Sequence, residues 1–192
     1  MAAFEGLGRL GDRLGPGYRD LLQGTAGMAA LLAGPKVGKH GGNKPNPATL
    51  RAVKRMPAEF QAEYAAAKAA GWKKPNGETW WPPNDGAVGT PVKTNLPPDS
   101  PLDRFGSENG SYLSPKGEAF ENRAMPGVPE NPPNNYIVKQ SLPVEKAEIA
   151  PWFDQPGGGT QYKLSPPEGW NAEIDGPFNV AAAKRFGYLG DE

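Results

Sequence analysis

Two stretches decide the fold: Thr79–Pro98, TWWPPNDGAVGTPVKTNLPP, and Tyr136–Glu145, YIVKQSLPVE. Both are short runs of β-branched and aromatic residues cut by Pro, Gly and Asn, the punctuation of strands joined by turns. In the second, Tyr136, Val138 and Gln140 alternate with Ile137 and Lys139. That period of two predicts a strand over Tyr136–Gln140 with one face turned inward. Thr160–Leu164 reads the same way. The texture beyond Lys74 therefore predicts a small, mainly antiparallel sheet, and the helical patterns before it make the whole an α+β protein.

Upstream, the period changes. Asn46 followed by Pro47 is a helix cap with proline at the first helical position, and a second start comes at Pro57, with Glu59 in its first turn. Phe60, Tyr64, Ala67 and Gly71 then share one helical face, and the run stops at Gly71. Between Leu7 and Leu32 apolar residues recur mostly every three or four positions, broken by glycines, which predicts short helices. Gly34–Pro47, GPKVGKHGGNKPNP, reads as a linker. A final helix is expected over Val180–Phe186, ending at Gly187. The expected organisation is an N-terminal helical arm and linker over 1–45, a helical part over 46–99, and a β-rich part over 100–192.

A chain of 192 residues is long enough to bury a continuous core. Its 26 glycines and 23 prolines make it loop-rich, while five Trp, six Tyr and seven Phe argue for packed structure. Cysteine is absent, which excludes disulfides, thiolate metal sites and cysteine nucleophiles. His40, the single histidine, lies in the linker, so catalytic triads and histidine metal clusters are excluded from the core. Residues 1–75 hold 12 Lys and Arg against 5 Asp and Glu, and residues 76–192 hold 9 against 16. The basic charges are scattered singly along helical stretches, the pattern of solvated faces rather than of a nucleic-acid-binding arm. No apolar run is long enough to span a membrane, and the start has no signal-peptide pattern. An exported chain of this kind would take its address from elsewhere.

Two segments could carry chemistry. Asp103–Pro115, DRFGSENGSYLSP, reads as a hairpin that brings Arg104 and Tyr112 near one another, a cation and a phenol suited to a phosphate or ribose. The same pattern also fits an exposed arginine on an edge strand. Ala150–Leu164, APWFDQPGGGTQYKL, sets three consecutive glycines between two aromatics and a strand carrying Gln161 and Tyr162. Glycine triplets are tolerated where a backbone must approach something closely or take positive φ. A ligand would satisfy that, and so would a long turn with flanking core aromatics. Neither G-x-G-x-x-G nor a P-loop occurs.

With WPPNDGAVGTPVKTNLPP before them and FENRAMP and YIVKQSLPVE between them, these segments resemble, in order and spacing, the blocks of the tuberculosis necrotizing toxin family. The resemblance runs from about Trp80 to Tyr188, and its most specific part is the pairing of DRFGS with PWFDQPGGGTQY. It implies an ADP-ribosyltransferase-like toxin domain, with 46–99 as a thumb-like part and 100–192 as a palm-like part. It implies an NAD glycohydrolase that splits nicotinamide from NAD, with NADP as a further substrate, and that serves as the toxic end of a larger secreted protein. By motif, Arg104 and Gln161 would be catalytic, and Phe105, Tyr112, Arg123, Asn135 and Gly159 would line the substrate site. Where the family has a histidine before the YIVKQSLPV strand, this chain has Asn134 and Asn135.

The resemblance implies no cofactor, since NAD is the substrate, and no metal, nucleic acid or membrane. It implies a proteinaceous immunity inhibitor, because a toxin that drains NAD must be restrained in its producer. Nicotinamide in NAD is already a cationic leaving group, so its departure needs no general acid. The barrier is charge development on the ribose, as in other glycosidic cleavages. Arg104 is expected to hold the pyrophosphate and Gln161 to orient the ribose or water, both facing one cleft. Two alternatives stay open: an ADP-ribosyltransferase, which sends the ribosyl cation to a macromolecule, and a non-catalytic extracellular binding or adhesion module. No glutamate near the expected site stands out as the activator a transferase would need.

Overall fold

The structure is a computed structural model and describes residues 46–192. The expected helices between Leu7 and Leu32, most of the linker, and His40 lie outside the described residues. Contacts between Cα atoms divide the chain between Pro83 and Asn84.

In the first unit, α1 (Pro47–Lys54) starts as expected, with the Asn46 side chain accepting from the Ala48 amide at 2.9 Å. Arg51 and Lys54 sit in its last turn, where a cation meets the negative end of the helix. The second helix, α2 (Ala58–Ala69), follows Pro57 and buries Phe60, Tyr64, Ala66 and Ala67. The expected aromatic stripe is thus inside. Gly71 and Trp72 both take positive φ beyond its end. That reversal lets the Trp72 ring meet Tyr64 edge-on, 5.3 Å between centroids. Trp80 returns across it, donating its main-chain N–H to the Trp72 carbonyl and its indole N–H to Glu63.

The second unit is one seven-stranded sheet. Its strands are β1 (Ala87–Leu96), β2 (Pro101–Arg104), β3 (Tyr112–Pro115), β4 (Asn134–Val138), β5 (Leu142–Ile149), β6 (Thr160–Leu164) and β7 (Leu189–Asp191). They run in the order β1-β5-β6-β3-β2-β4-β7, and every pair is antiparallel. The expected antiparallel sheet is therefore present. Because β1 pairs with β5 from Ala87↔Ile149 to Leu96↔Leu142, residues 84–99 belong with the sheet and not with the helical part expected over 46–99.

One face of the sheet carries a continuous core. Leu102, Leu113, Tyr136, Val138, Val144 and Leu164 are buried there with Phe178, Val180, Ala183 and Leu189. Alternation accounts for it: Tyr136 and Val138 are fully buried while Ile137 between them is not. The expected strand ends two residues early because Lys139 and Gln140 turn away to the C-terminal segment, with Lys139 donating to the Tyr188 carbonyl and Gln140 to the Phe186 carbonyl. After the short α3 (Ala172–Asp175), the last helix, α4 (Val180–Arg185), is capped by the Asn179 side chain and closed by Phe186 and by Gly187 at φ 77.

Candidate active site

Register fixes which side chains share a face. Lys163 on β6 pairs with Tyr112 on β3 and with Glu145 on β5, and Gln161 pairs with Ala147. These residues therefore project together. Tyr162, between Gln161 and Lys163, points the other way and packs on the core. On β2, Leu102 is in the core and Asp103 pairs with Ser114 and Asn135, so Asp103 and Asn135 share the face of Tyr112 while Arg104 shares that of Leu102.

The Arg104 guanidinium closes the hairpin loop from that side. Its Nε donates to the Ser107 carbonyl at 2.8 Å and its Nη1 to the Tyr112 carbonyl at 2.7 Å. Gly110 leaves room for it, since a Cβ there would stand 1.8 Å from Nη2. Burial lowers the guanidinium's pKa. The start of α4 grips the same loop through Val180 N–H to the Gly110 carbonyl and Ala181 N–H to the Glu108 carbonyl. Lys184 bridges Glu108 and Asp191, 2.7 Å from each, and the Asn134 amide ties Gly106. The hairpin is as expected, but it does not present a cation and a phenol together: the guanidinium goes under the loop and the phenol to the opposite face. Nor do Arg104 and Gln161 face a common cleft, because their strands direct them to opposite sides of the sheet.

Arg123 is pinned as well. It pairs with Asp103, their side chains 5% and 1% exposed, and donates from Nε and Nη2 to the Glu118 carbonyl. The second oxygen of Asp103 accepts from the Gly117 amide. The Phe105 ring lies 4.9 Å from the Arg123 guanidinium and edge-on to Phe120. Asn135 is half-buried, and its carbonyl accepts from Glu192. The glycine triplet packs against the protein's own chain. A Cβ on Gly157 would stand 2.5 Å from the Ile149 carbonyl oxygen, and one on Gly159 would stand 2.8 Å from that of Asn122. Gly158, at φ 85, has open space at that position.

Gln161 instead lines an open concavity of about 190 Å³ with Asn84, Asp85, Glu145 and Lys163, over the apolar Ala87 and Pro91. Its side-chain amide donates to the Asp85 carbonyl at 3.3 Å. The Asp85 carboxylate lies 2.7 Å from Lys163 Nζ, their side chains 61% and 40% exposed. That hydrogen bond is the largest cause lowering the Asp85 pKa and raising that of Lys163. Lys163 Nζ is 5.8 Å from the Tyr112 ring centroid. Burial first, then the Asp85 charge, raises the Tyr112 pKa. Asn84 and Asp85 both take left-handed backbone, φ 53 and 52, costing about 1 kcal/mol or more each. The Asn84 amide holds that turn by donating to the Ala87 and Gly89 carbonyls.

No sequence motif singles out Asp85, Glu145 or Lys163, which line the concavity with Gln161. Lys163 was within reach, since it stands two positions from Gln161 on one strand and must share its face. Asp85 and Glu145 arrive through pairings that no local pattern announces.

The family model described as tuberculosis necrotizing toxin matches residues 95–190, half of the chain. The chain belongs to the tuberculosis necrotizing toxin family. The conidial surface nicotinamide adenine dinucleotide glycohydrolase of Aspergillus fumigatus is 41% identical to it over 120 residues, 55% of this chain and 49% of that protein. The NAD(P)(+) glycohydrolase toxin of Pseudomonas aeruginosa is 57% identical over 55 residues, 29% of this chain and 12% of that protein. A (p)ppApp synthetase toxin, also of Pseudomonas aeruginosa, is 64% identical over 39 residues, 20% of this chain and 9% of that protein. The chain thus spans about half the length of the first of these relatives and about a tenth of the other two. Among solved structures, the tuberculosis necrotizing toxin complexed with its immunity factor aligns with 82% of this chain and 95% of that chain, at 21% identity and a TM-score of 0.46. In this member of the family, Gln161 is the motif residue that opens on the concavity.

Proposed function

We propose that this domain is an NAD glycohydrolase that cleaves the nicotinamide–ribose bond, giving ADP-ribose, nicotinamide and a proton. The reading rests on the Gln161 side-chain amide at the wall of a concavity that holds two carboxylates against one lysine. Its volume, about 190 Å³, lies below the roughly 300–1,000 Å³ of whole-ligand pockets. It therefore suits one end of a dinucleotide, and the excess of negative charge suits the cationic nicotinamide ribosyl end. Two relatives named as glycohydrolases of NAD support the same reaction.

In this reaction Gln161 is the catalytic residue that orients the nicotinamide ribose or the attacking water. Arg104 is a positioning residue that holds the 105–111 loop closed. Tyr112 contributes the aromatic wall beside Lys163. Phe105, Arg123, Asn135 and Gly159 shape the substrate site through the segments they hold. The sheet is of the ADP-ribosyltransferase-like kind. NADP is a second substrate, an immunity protein covers the concavity in the producer, and the domain acts as the toxic part of a larger exported protein.

Fluorescence release from an etheno-NAD analogue tests the reaction. Purified protein should release free etheno-ADP-ribose, and Gln161→Ala should lower the rate at least about tenfold, about 1.4 kcal/mol in barrier. Absence of cleavage by folded, concentrated protein overturns the reading. Label from NAD retained on a protein would make the domain a transferase.

A further inference from the structure

Two carboxylates and one lysine share the concavity, and the lysine is committed. Lys163 Nζ is bound to Asp85 at 2.7 Å. Glu145 stands opposite Lys163 on one side and opposite Lys93 of β1 on the other. Even so, its side chain takes part in no hydrogen bond or ion pair among the described residues. It is half-buried, and no partner among the described residues accounts for it. Glu145 and Gln161 are diagonal neighbours on adjacent strands, a relation that places Cα atoms about 7–8 Å apart. Both side chains project from the same face and line the concavity.

We propose that Glu145 is a further catalytic residue, its carboxylate facing the ribosyl carbon from which nicotinamide departs. The inference rests on the NAD glycohydrolase reading and deepens it. As the bond breaks, its electron pair leaves with nicotinamide, which becomes neutral, and the positive charge passes to the ribosyl unit. Water then bonds to that carbon and loses its proton to solvent. A fixed negative charge beside the ribose stabilises the intermediate charge, and it does so more in the transition state than in the ground state, where the charge still sits on the nicotinamide ring. Asp85 cannot serve equally, because its charge is spent on Lys163. The Asp85–Lys163 pair instead keeps the lysine from neutralising Glu145.

The test compares the intact chain with Glu145→Gln and Glu145→Asp, folding being checked by circular dichroism and thermal unfolding. Glu145→Gln should lower kcat for NAD at least about tenfold, with the loss greater in kcat than in KM. Glu145→Asp should recover part of it. A cationic iminoribitol, which mimics the ribosyl cation, should inhibit the wild-type protein at least about tenfold better than the uncharged ribitol of the same shape, and Glu145→Gln should lose that preference. Unchanged kcat in a folded Glu145→Gln, or a fall in kcat with the cation preference intact, overturns the proposal while leaving the glycohydrolase reading standing. Failure of the wild-type protein itself to release nicotinamide overturns that reading, and the proposal with it.

Discussion

Arg104 and Gln161 stand on opposite faces of one sheet, with β3 between their strands. The two residues that the sequence motifs single out thus hold different places in the fold. Gln161 opens on the concavity, while Arg104 spends two of its nitrogens on the carbonyls of Ser107 and Tyr112. Tyr112 joins the two sides, since its carbonyl takes the guanidinium and its ring sits beside Lys163.

That division predicts different signatures for the two residues. Gly110→Ala should displace the guanidinium, because the new methyl would overlap Nη2, and it should open the 105–111 loop much as Arg104→Ala does. The displaced atoms are the end of a flexible side chain, so the stability loss should be small, about 1 kcal/mol. Limited proteolysis should cut both variants within 105–111 faster than wild type, and etheno-NAD turnover should fall at least about tenfold. Gln161→Ala should lose turnover to a similar degree with no change in cleavage pattern. Identical proteolysis of Arg104→Ala and wild type would remove the clamp from the account.

The buried Arg123–Asp103 pair should be costly to break from one side. Arg123→Met leaves the Asp103 carboxylate, 1% exposed, without its counter-charge. Stranding a buried charge in this way costs about 3–5 kcal/mol. For a chain of this size each kcal/mol moves Tm by roughly 2–4 °C. Adding Asp103→Asn to Arg123→Met should recover part of the loss. Calorimetry of the single and double variants checks both statements, and a double variant less stable than Arg123→Met would contradict them.

Three consecutive glycines should answer unequally to alanine. Gly157 approaches the Ile149 carbonyl and Gly159 approaches that of Asn122, and both obstacles are backbone that cannot swing aside. Gly157 also has φ 65, so its alanine variant carries conformational strain as well. Each should lose about 1–3 kcal/mol in urea unfolding. Gly158→Ala meets open space and should lose only the cost of its left-handed backbone, about 1 kcal/mol. Equal losses at all three positions would mean that the close approach at Gly157 and Gly159 is not what fixes the triplet.

What the sequence disclosed follows the range of the interactions. Asn46–Pro47, Val180–Gly187 and Thr160–Leu164 are set by neighbours within a few residues, and the structure has them almost where the pattern puts them. β7, three residues long, is too short to express an alternation, and it exists only because β4 offers an edge to pair with. The hairpin of Arg104 and Tyr112 was legible, but its register was not. Asp103 faces Ser114, and that offset sends guanidinium and phenol to opposite faces. Asp85, Glu145 and Lys163 come from a turn and two strands far apart in sequence, so only the assembled sheet makes them neighbours.

Stability should decline in alkali, and the groups responsible are on view. Burial raises the pKa of Tyr112, Tyr136 and Tyr162, and the hydrogen bond to Asp85 raises that of Lys163. A group that holds its proton more tightly folded than unfolded contributes stability that is complete below its unfolded pKa, about 10 for a phenol. That contribution is lost as pH rises through the folded value, because the unfolded chain then releases the proton more readily. Urea unfolding between about pH 8 and 11 should therefore show a falling free energy. Tyr112→Phe removes one of these groups, so its curve should fall less steeply than that of wild type, while the remaining phenols and Lys163 keep it from becoming flat. A Tyr112→Phe curve parallel to wild type would show that this phenol is as free to ionise in the folded protein as in the unfolded chain, contrary to its half-buried place beside Asp85.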